Sequence, residues 1–249
     1  MKKKLGWVPD LPDARHYAYV PKALLGLPKA VDLRAQLPGV WDQKSIGSCV
    51  AHGVAACHVA AQRKAAAGKK EIMPSRLALY YQARAASNWT QVDSGCYIVQ
   101  AMKVVAKFGV ADEKLWPYTL SKFKDRPNAA VYKDALLHQG LVYRKIDSTQ
   151  PVQIKAALAA GLPVVFGSTL YENSYNLVDD VMPMPDLKTS VLGGHCMALV
   201  GYDDDKRLFL VRNSWGKAWG DNGHHWMPYD YICNLQLTDD VWCLETVEV

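Results

Sequence analysis

Apolar and polar positions divide the 249-residue chain into stretches of three textures. Over residues 1–30, Trp7, Pro9, Pro12, Tyr17, Tyr19, Pro21 and Pro28 interrupt any helical or alternating spacing, which predicts an extended strap. Its aromatics favour docking on a surface, since disordered segments are poor in them. A loose terminus is the plainer alternative. Gly47-Ser48-Cys49 opens an Ala-rich helix expected to reach about Ala67, with Ser48 as N-cap and Gly68 as the stop. Further helices are predicted over about Pro74–Ala86, over Tyr97–Phe108 with Ile98, Met102 and Val105 at helical spacing, and over Pro151–Ala160. Beyond Pro163 the pattern shortens to β-rich runs at Val164–Phe166, Met197–Tyr202 and Leu208–Arg212. Asp203–Lys206 forms a polar turn between the last two, which predicts a hairpin. Helices therefore precede strands, the pattern of an α+β fold whose two lobes meet at a cleft.

Composition narrows the function classes. Half of the residues are apolar, ample for a core, and the net charge is +5. The basic residues form no stripe interleaved with aromatics, so nucleic acid is not expected as the main partner. No apolar run approaches the roughly 18 residues of a membrane helix. The basic start is followed by prolines and aspartates instead of an apolar stretch, so no secretory leader is legible. The compartment stays open between the cytoplasm and a non-standard secretion route. Cysteines stand at 49, 57, 96, 196, 233 and 243 without a CxxC pair, so no structural metal or cofactor is expected. Cys49, His52 and Cys57 share one helix but lack a complementary cluster for a metal. Cys233 and Cys243 are close enough in sequence for a disulfide loop.

Three segments carry candidate chemistry. In Gln43-Lys44-Ser45-Ile46-Gly47-Ser48-Cys49, a cysteine at a helix N-terminus faces free backbone N–H groups and the positive end of the helix dipole, which favour the nucleophilic thiolate. Gln43 and the Cys49 N–H can supply two donors to a developing oxyanion. In Gly193-Gly194-His195-Cys196, a histidine near a strand start can shuttle protons near neutrality. In Asn213-Ser214-Trp215-Gly216, an amide oxygen can accept the imidazole Nδ1–H while the indole shields the bond. Each has a bland reading as well: a buried structural cysteine, a satisfied core histidine, a turn with a packed tryptophan.

The ordered set of Gln43, Cys49, His195 and Asn213-Ser214-Trp215-Gly216 closely resembles the papain family of cysteine peptidases. The resemblance also takes in Val31-Asp32-Leu33-Arg34, Trp116-Pro117-Tyr118 and Trp219–Gly223, and so covers about residues 31–230. Leu79-Tyr80-Tyr81 and Trp116-Pro117-Tyr118 look most like microbial members. The resemblance implies a papain-like two-lobe fold, with a helical left lobe over 31–140, a β-barrel-like right lobe over 141–249, and residues 1–30 as a strap or short pro-segment. It implies Cys49 as nucleophile, His195 as proton carrier in a thiolate–imidazolium pair, Asn213 as its orienting partner and Gln43 in the oxyanion hole. Gly95, Cys96, Tyr97, Gly194, Cys196 and Trp215 are implied as substrate-binding residues, with an apolar preference for the second residue before the cleaved bond. Polypeptides are then the substrates. Trp7–Pro28 is too short for the long helical propeptide usual in that family, but its length, prolines and aromatics suggest a strap over or beside the cleft that limits access as an intramolecular inhibitor. Ile46, Val50 and His52 depart from the family pattern, and His52 is expected to be a packing or partly exposed residue outside the catalytic set. A catalytically silent peptide-binding protein and a transglutaminase-like acyl transferase remain as alternatives.

Overall fold

The computed structural model describes residues 3–22, 26–65 and 71–248. Helix α1 (Cys49–Ala65) starts at Cys49 as predicted; the expected stop at Gly68 lies outside the described residues. From Cys49 to Gln62 every residue of α1 is buried. Small side chains make this possible, because a helix apolar all round can be packed on all sides. Gly53 is the closest approach to the sheet: a Cβ there would stand 2.9 Å from Val165 and 3.3 Å from the Cys196 sulfur. Helix α2 (Arg76–Ala85) is capped by Ser75, whose hydroxyl accepts from Ala78 N at 3.2 Å. Helix α3 (Ile98–Phe108) ends at Gly109, whose φ of 72° and contact with the Ala135 carbonyl leave no room for a side chain. Helix α4 (Ala129–Ala135), capped by Asn128, was not foreseen; seven residues are too few for a periodic signal.

The second half builds a seven-stranded sheet. Strands β4 (Gly140–Lys145), β5 (Val164–Tyr171), β6 (Val191–Asp203), β7 (Leu208–Arg212), β8 (His224–Pro228) and β9 (Thr238–Val247) lie in the order β4-β9-β5-β6-β7-β8, all antiparallel, and β2 (Ala30–Asp32) adds to β6. The predicted hairpin is the β6–β7 pair, in register from Asp203 opposite Leu208. Strands β4, β8 and β9 escaped the sequence pattern. In β8 the residues His-His-Trp-Met-Pro contain no β-branched member, so pairing with β7 places them, not propensity. Helix α5 (Pro151–Ala159) covers part of the sheet, with Gly161 at φ 76° just beyond its end.

Two large apolar clusters, with a small third at Ala78, Ala111, Val131 and Ala135, fill the described part of the molecule. One holds Ile154, Phe166, Leu199, Val211 and Phe209 around the sheet; the other holds Val54, Leu77, Tyr80, Met102 and Trp242 around α1, α2 and α3. Helix α1 contributes Ala56 and Ala60 to the first and Val50 and Cys57 to the second. Its N-terminus meets β6 at the seam. All six cysteines are free thiols, so the Cys233–Cys243 loop is not closed by a disulfide. No helix among the described residues is long and apolar enough to cross a membrane.

Ahead of this body, the N-terminal segment forms a two-residue strand β1 (Trp7–Val8) parallel to β3 (Cys96–Tyr97). It then runs beside β4, where Tyr19 N donates to Lys145 O at 2.8 Å and Lys145 N donates to Tyr17 O at 3.0 Å.

Candidate active site

Cys49 is the first residue of α1 and is fully buried. Its sulfur accepts the Cys196 N–H at 3.4 Å and also faces the backbone N–H groups of Gly6 and Val50. These donors favour the thiolate, but burial outweighs them and pushes the thiol up to about 11. The Ser48 hydroxyl does not cap the helix. It lies 2.6 Å from Tyr118 Oη, while the Ser48 carbonyl accepts from His52 N at 3.2 Å.

His195 sits in β6 with its Nε2 2.9 Å from Asn213 Oδ1. Because Asn213 Oδ1 also accepts the Ser214 N–H at 2.7 Å, it is the acceptor and Nε2 carries the proton. This corrects the sequence reading, which gave that bond to Nδ1. Nδ1 has no hydrogen-bond partner among the described residues. Trp215 stacks on the imidazole at 4.8 Å and is itself stacked on Tyr175 at 5.0 Å, with Trp219 edge-on at 4.5 Å. Burial holds the His195 pKa down at about 4. Burial therefore opposes the charged form of both groups in this conformation, and so works against the thiolate–imidazolium pair expected from the sequence.

Gln43 is fixed from both ends. Ser214 Oγ donates to its Oε1 at 2.6 Å, which leaves Nε2 to donate to Ile46 O at 2.9 Å and to Lys4 O at 2.8 Å. The last bond brings the N-terminal segment into the site. Lys3 and Lys4 pair with Asp42 and Asp93 at 2.5 and 2.8 Å, Gly6 packs on the backbones of Gly47 and Gly95, and the Gly6 carbonyl accepts from Cys96 N at 3.0 Å. Gly6 has no room for a Cβ, which would collide with the Gly47 carbonyl. The sulfur thus meets an N–H of the strap, while the Gln43 amide holds a carbonyl two residues away. No single peptide bond of the strap is presented to both groups, so it occupies the groove without being placed for attack.

The residues implied for substrate contact line this groove. Gly95, at φ 75°, gives its N–H to Tyr80 Oη at 3.1 Å, and its neighbour Cys96 makes the backbone bond to Gly6. Tyr97 pairs with Val8 and leans on Trp89 at 5.3 Å. Gly194 lies under the Trp7 carbonyl and ring, and Cys196 lies against the Cys49 sulfur. Of the two expectations for His52, packing holds: its Nδ1 is 3.0 Å from Ser48 O, Tyr118 meets it edge-on at 5.0 Å, and burial lowers its pKa to about 3.

Sequence reasoning missed Asp10, Gly167, Asp240 and Trp242. Trp7 Nε1 donates to Asp240 Oδ2 at 2.9 Å, Asp10 N donates to the same oxygen at 2.7 Å, and Trp242 Nε1 donates to Asp10 Oδ2 at 3.2 Å. The one available hint was Asp239-Asp240 ahead of the apolar run Val241-Trp242-Cys243-Leu244, where a buried carboxylate needs a partner.

Comparison with known proteins agrees with this fold. The family model for papain family cysteine proteases matches residues 27–242. An uncharacterized peptidase C1-like protein of Acanthamoeba polyphaga mimivirus is 34% identical over 234 residues, 90% of this chain and 75% of that one. The crystal structure of xylellain, a cysteine protease from Xylella fastidiosa, superposes with a TM-score of 0.90 at 36% identity, covering 97% of this chain and 96% of that one. A procathepsin B from Trypanosoma congolense, 16% identical with a TM-score of 0.75 over 96% of this chain and 84% of its own, shares the fold.

Proposed function

Because the chain belongs to the papain family of cysteine proteases, we propose that it is an endopeptidase working through a thioester acyl-enzyme, closed in this conformation by its own N-terminal strap. Residues 31–140 form the lobe that carries the nucleophile, and residues 141–249 the lobe that carries His195 and Asn213. Cys49 Sγ attacks the scissile carbonyl, whose oxygen moves toward Gln43 Nε2 and the Cys49 N–H. His195 Nδ1, the ring nitrogen left free by Asn213, takes the Cys49 thiol proton as the sulfur attacks and gives it to the leaving amine; it then takes a proton from the attacking water and returns it to the sulfur as the thioester breaks. Asn213 fixes the tautomer, and Trp215 keeps water from that bond. Gly95, Cys96, Tyr97, Gly194 and Cys196 receive the substrate backbone and side chains.

The observation that carries this reading is the Gln43 Nε2 bond to the Lys4 carbonyl beside the buried Cys49 sulfur: the proposed oxyanion donor already holds a peptide carbonyl. Withdrawal of the strap readmits water to Cys49 and His195. That relieves the desolvation responsible for both shifts and allows the ion pair to form. A silent peptide-binding role is disfavoured because Cys49, His195, Asn213 and Gln43 are all present. Hydrolysis and acyl transfer share the acyl-enzyme, so product analysis separates them. Peptide incubated under reducing conditions with and without a primary amine should give the free acid in both. An amide as the main product whenever amine is present would favour transfer.

Strap docking should depend on pH. The Asp10 carboxyl accepts Val99 N at 3.1 Å and faces Asp240; Lys145 lies 3.9 Å from both Asp239 and Asp240, and His16 packs edge-on against Trp242 at 4.8 Å. Burial first, and the Asp240 charge second, raise the Asp10 pKa from 3.8 to about 7. The docked strap therefore holds a proton that the free strap loses above pH 4. Docking is strongest below the free value and weakens as pH rises towards 7, by up to about tenfold per unit. Relative to Gly6→Ala, a variant that cannot dock, wild-type kcat/KM should climb between pH 5 and 7.5, and Asp10→Asn should flatten the climb. A ratio independent of pH in the wild type would refute the carboxyl latch.

A further inference from the structure

A small polar cavity lies beside Asn213. It is bounded by His52 of α1, Cys196 and Met197 of β6, Arg212 at the end of β7 and Asn213 just beyond it. Each of these five residues is 4% exposed or less. The cavity measures about 10 Å³, the least that one water molecule needs. Two of the bounding residues carry a buried nitrogen with no hydrogen-bond partner among the described residues, His52 Nε2 and Asn213 Nδ2.

The role of each nitrogen follows from the bond at the other end of the same group. His52 Nδ1 lies 3.0 Å from the Ser48 carbonyl, which only accepts, so Nδ1 carries the proton and Nε2 is left as an acceptor. Burial, with the charge of Arg76 adding to it, keeps this ring neutral, with a pKa of about 3. Tyr118 at 5.0 Å and Trp41 at 6.3 Å both meet it edge-on, which fixes its direction. Asn213 Oδ1 accepts from Ser214 N and from His195 Nε2, so Nδ2 is left as a donor. A donor and an acceptor thus border one space. A water molecule can accept from the amide and donate to the imidazole, satisfying both. An anion would meet the Nε2 lone pair, and a cation the Arg212 guanidinium.

We propose that His52 is a positioning residue: through one buried water it holds the Asn213 amide in the orientation that His195 requires. This rests on the peptidase reading above. Without an acceptor for Nδ2, keeping Oδ1 on the His195 N–H strands a buried donor, which favours rotation of the amide away from the ring. The polar ring that departs from the family pattern at position 52 thereby has a task.

A crystal structure of the full chain tests the site, and needs no variant. One water within hydrogen-bond distance of both His52 Nε2 and Asn213 Nδ2 is expected. No density there, or direct contact between the two nitrogens, would overturn the proposal. The role is tested with His52→Leu and His52→Gln in the Gly6→Ala chain, whose strap cannot dock. Leucine removes the acceptor, whereas glutamine can offer Oε1 in its place. Peptide kcat and KM are measured, together with the pH midpoint of Cys49 alkylation by iodoacetamide, which needs no hydrolysis. The bond from Asn213 favours the protonated His195 ring, and that ring supports the thiolate. Losing the bond therefore moves the alkylation midpoint up. His52→Leu should lower kcat about fivefold or more, leave KM within about twofold and raise the midpoint by about half a pH unit or more. His52→Gln should restore most of both. If the midpoint moves as expected but no variant hydrolyses peptide, positioning by His52 stands and the peptidase reading fails. An unmoved midpoint in His52→Leu, or a His52→Gln chain as impaired as His52→Leu, would overturn the proposal.

Discussion

Replacing Cys49 with alanine should reduce kcat/KM for peptide hydrolysis by about 10³-fold or more, even in a chain whose strap cannot dock. The effect is large because every later step depends on the thioester. Without the sulfur, Gln43 can still polarise a carbonyl and His195 can still pass protons, but nothing forms the covalent intermediate. The substitution removes one buried sulfur from the start of α1, where its neighbours are the Cys196 and Val50 backbones. The fold should survive, and circular dichroism with a thermal melt would verify that. Steady-state assays of Cys49→Ala in the Gly6→Ala background measure the loss. Activity within about tenfold of the parent would remove Cys49 from the mechanism.

Gly6→Ala should act in the opposite direction, raising kcat/KM by about tenfold or more at pH 5, where the strap is held more tightly than at neutral pH. The cause is steric. The added methyl would overlap the Gly47 carbonyl and the atoms bonded to it, all backbone at the entrance to α1. Side-chain rotation cannot relieve a clash between two backbones, so the strap must lift. Gly95 faces Gly6 from the other side with its own steric limit, which closes the alternative route. Lifting removes the Lys4 carbonyl from Gln43, the Gly6 amide from the sulfur and Trp7 from its slot. Trp7→Ala provides an independent check, since it weakens docking by losing a buried ring and its bond to Asp240 without touching the Gly6 contact. Unchanged activity in both variants would mean that the strap does not limit access.

Much of this architecture follows from local pattern. The spacing of Ile98, Met102 and Val105, the proline at the start of α5 and the glycines at 109 and 161 place two helices to within about two residues, as capping chemistry allows. Helix α4 and strands β4, β8 and β9 left no comparable mark, because their positions are set by neighbours far away in sequence. The chemistry-bearing side chains stood out because each lies in a distinctive segment, but which imidazole nitrogen Asn213 holds depends on the angle between β6 and the loop after β7. The strap was visible only as a proline- and aromatic-rich stretch. That its docked part includes Lys3–Asp10 depends on a two-residue strand and a contact between glycines, neither of which has a period to detect. Asp240 was obscured for a related reason: its direction comes from a bulge in the sheet, not from alternation.

The central claim is that a reactive thiol at the head of α1 is covered by the chain's own first residues. Alkylation by iodoacetamide at pH 7, mapped by peptide mass spectrometry, tests it most directly, with the half-buried Cys233 as internal reference. In the wild type Cys233 should react ahead of Cys49. In Gly6→Ala, Cys49 should overtake it, with a rate gain of about tenfold or more as the thiolate becomes available. Equal Cys49 rates in the two proteins, or a Cys49 that stays slower than Cys233 in both, would contradict the account.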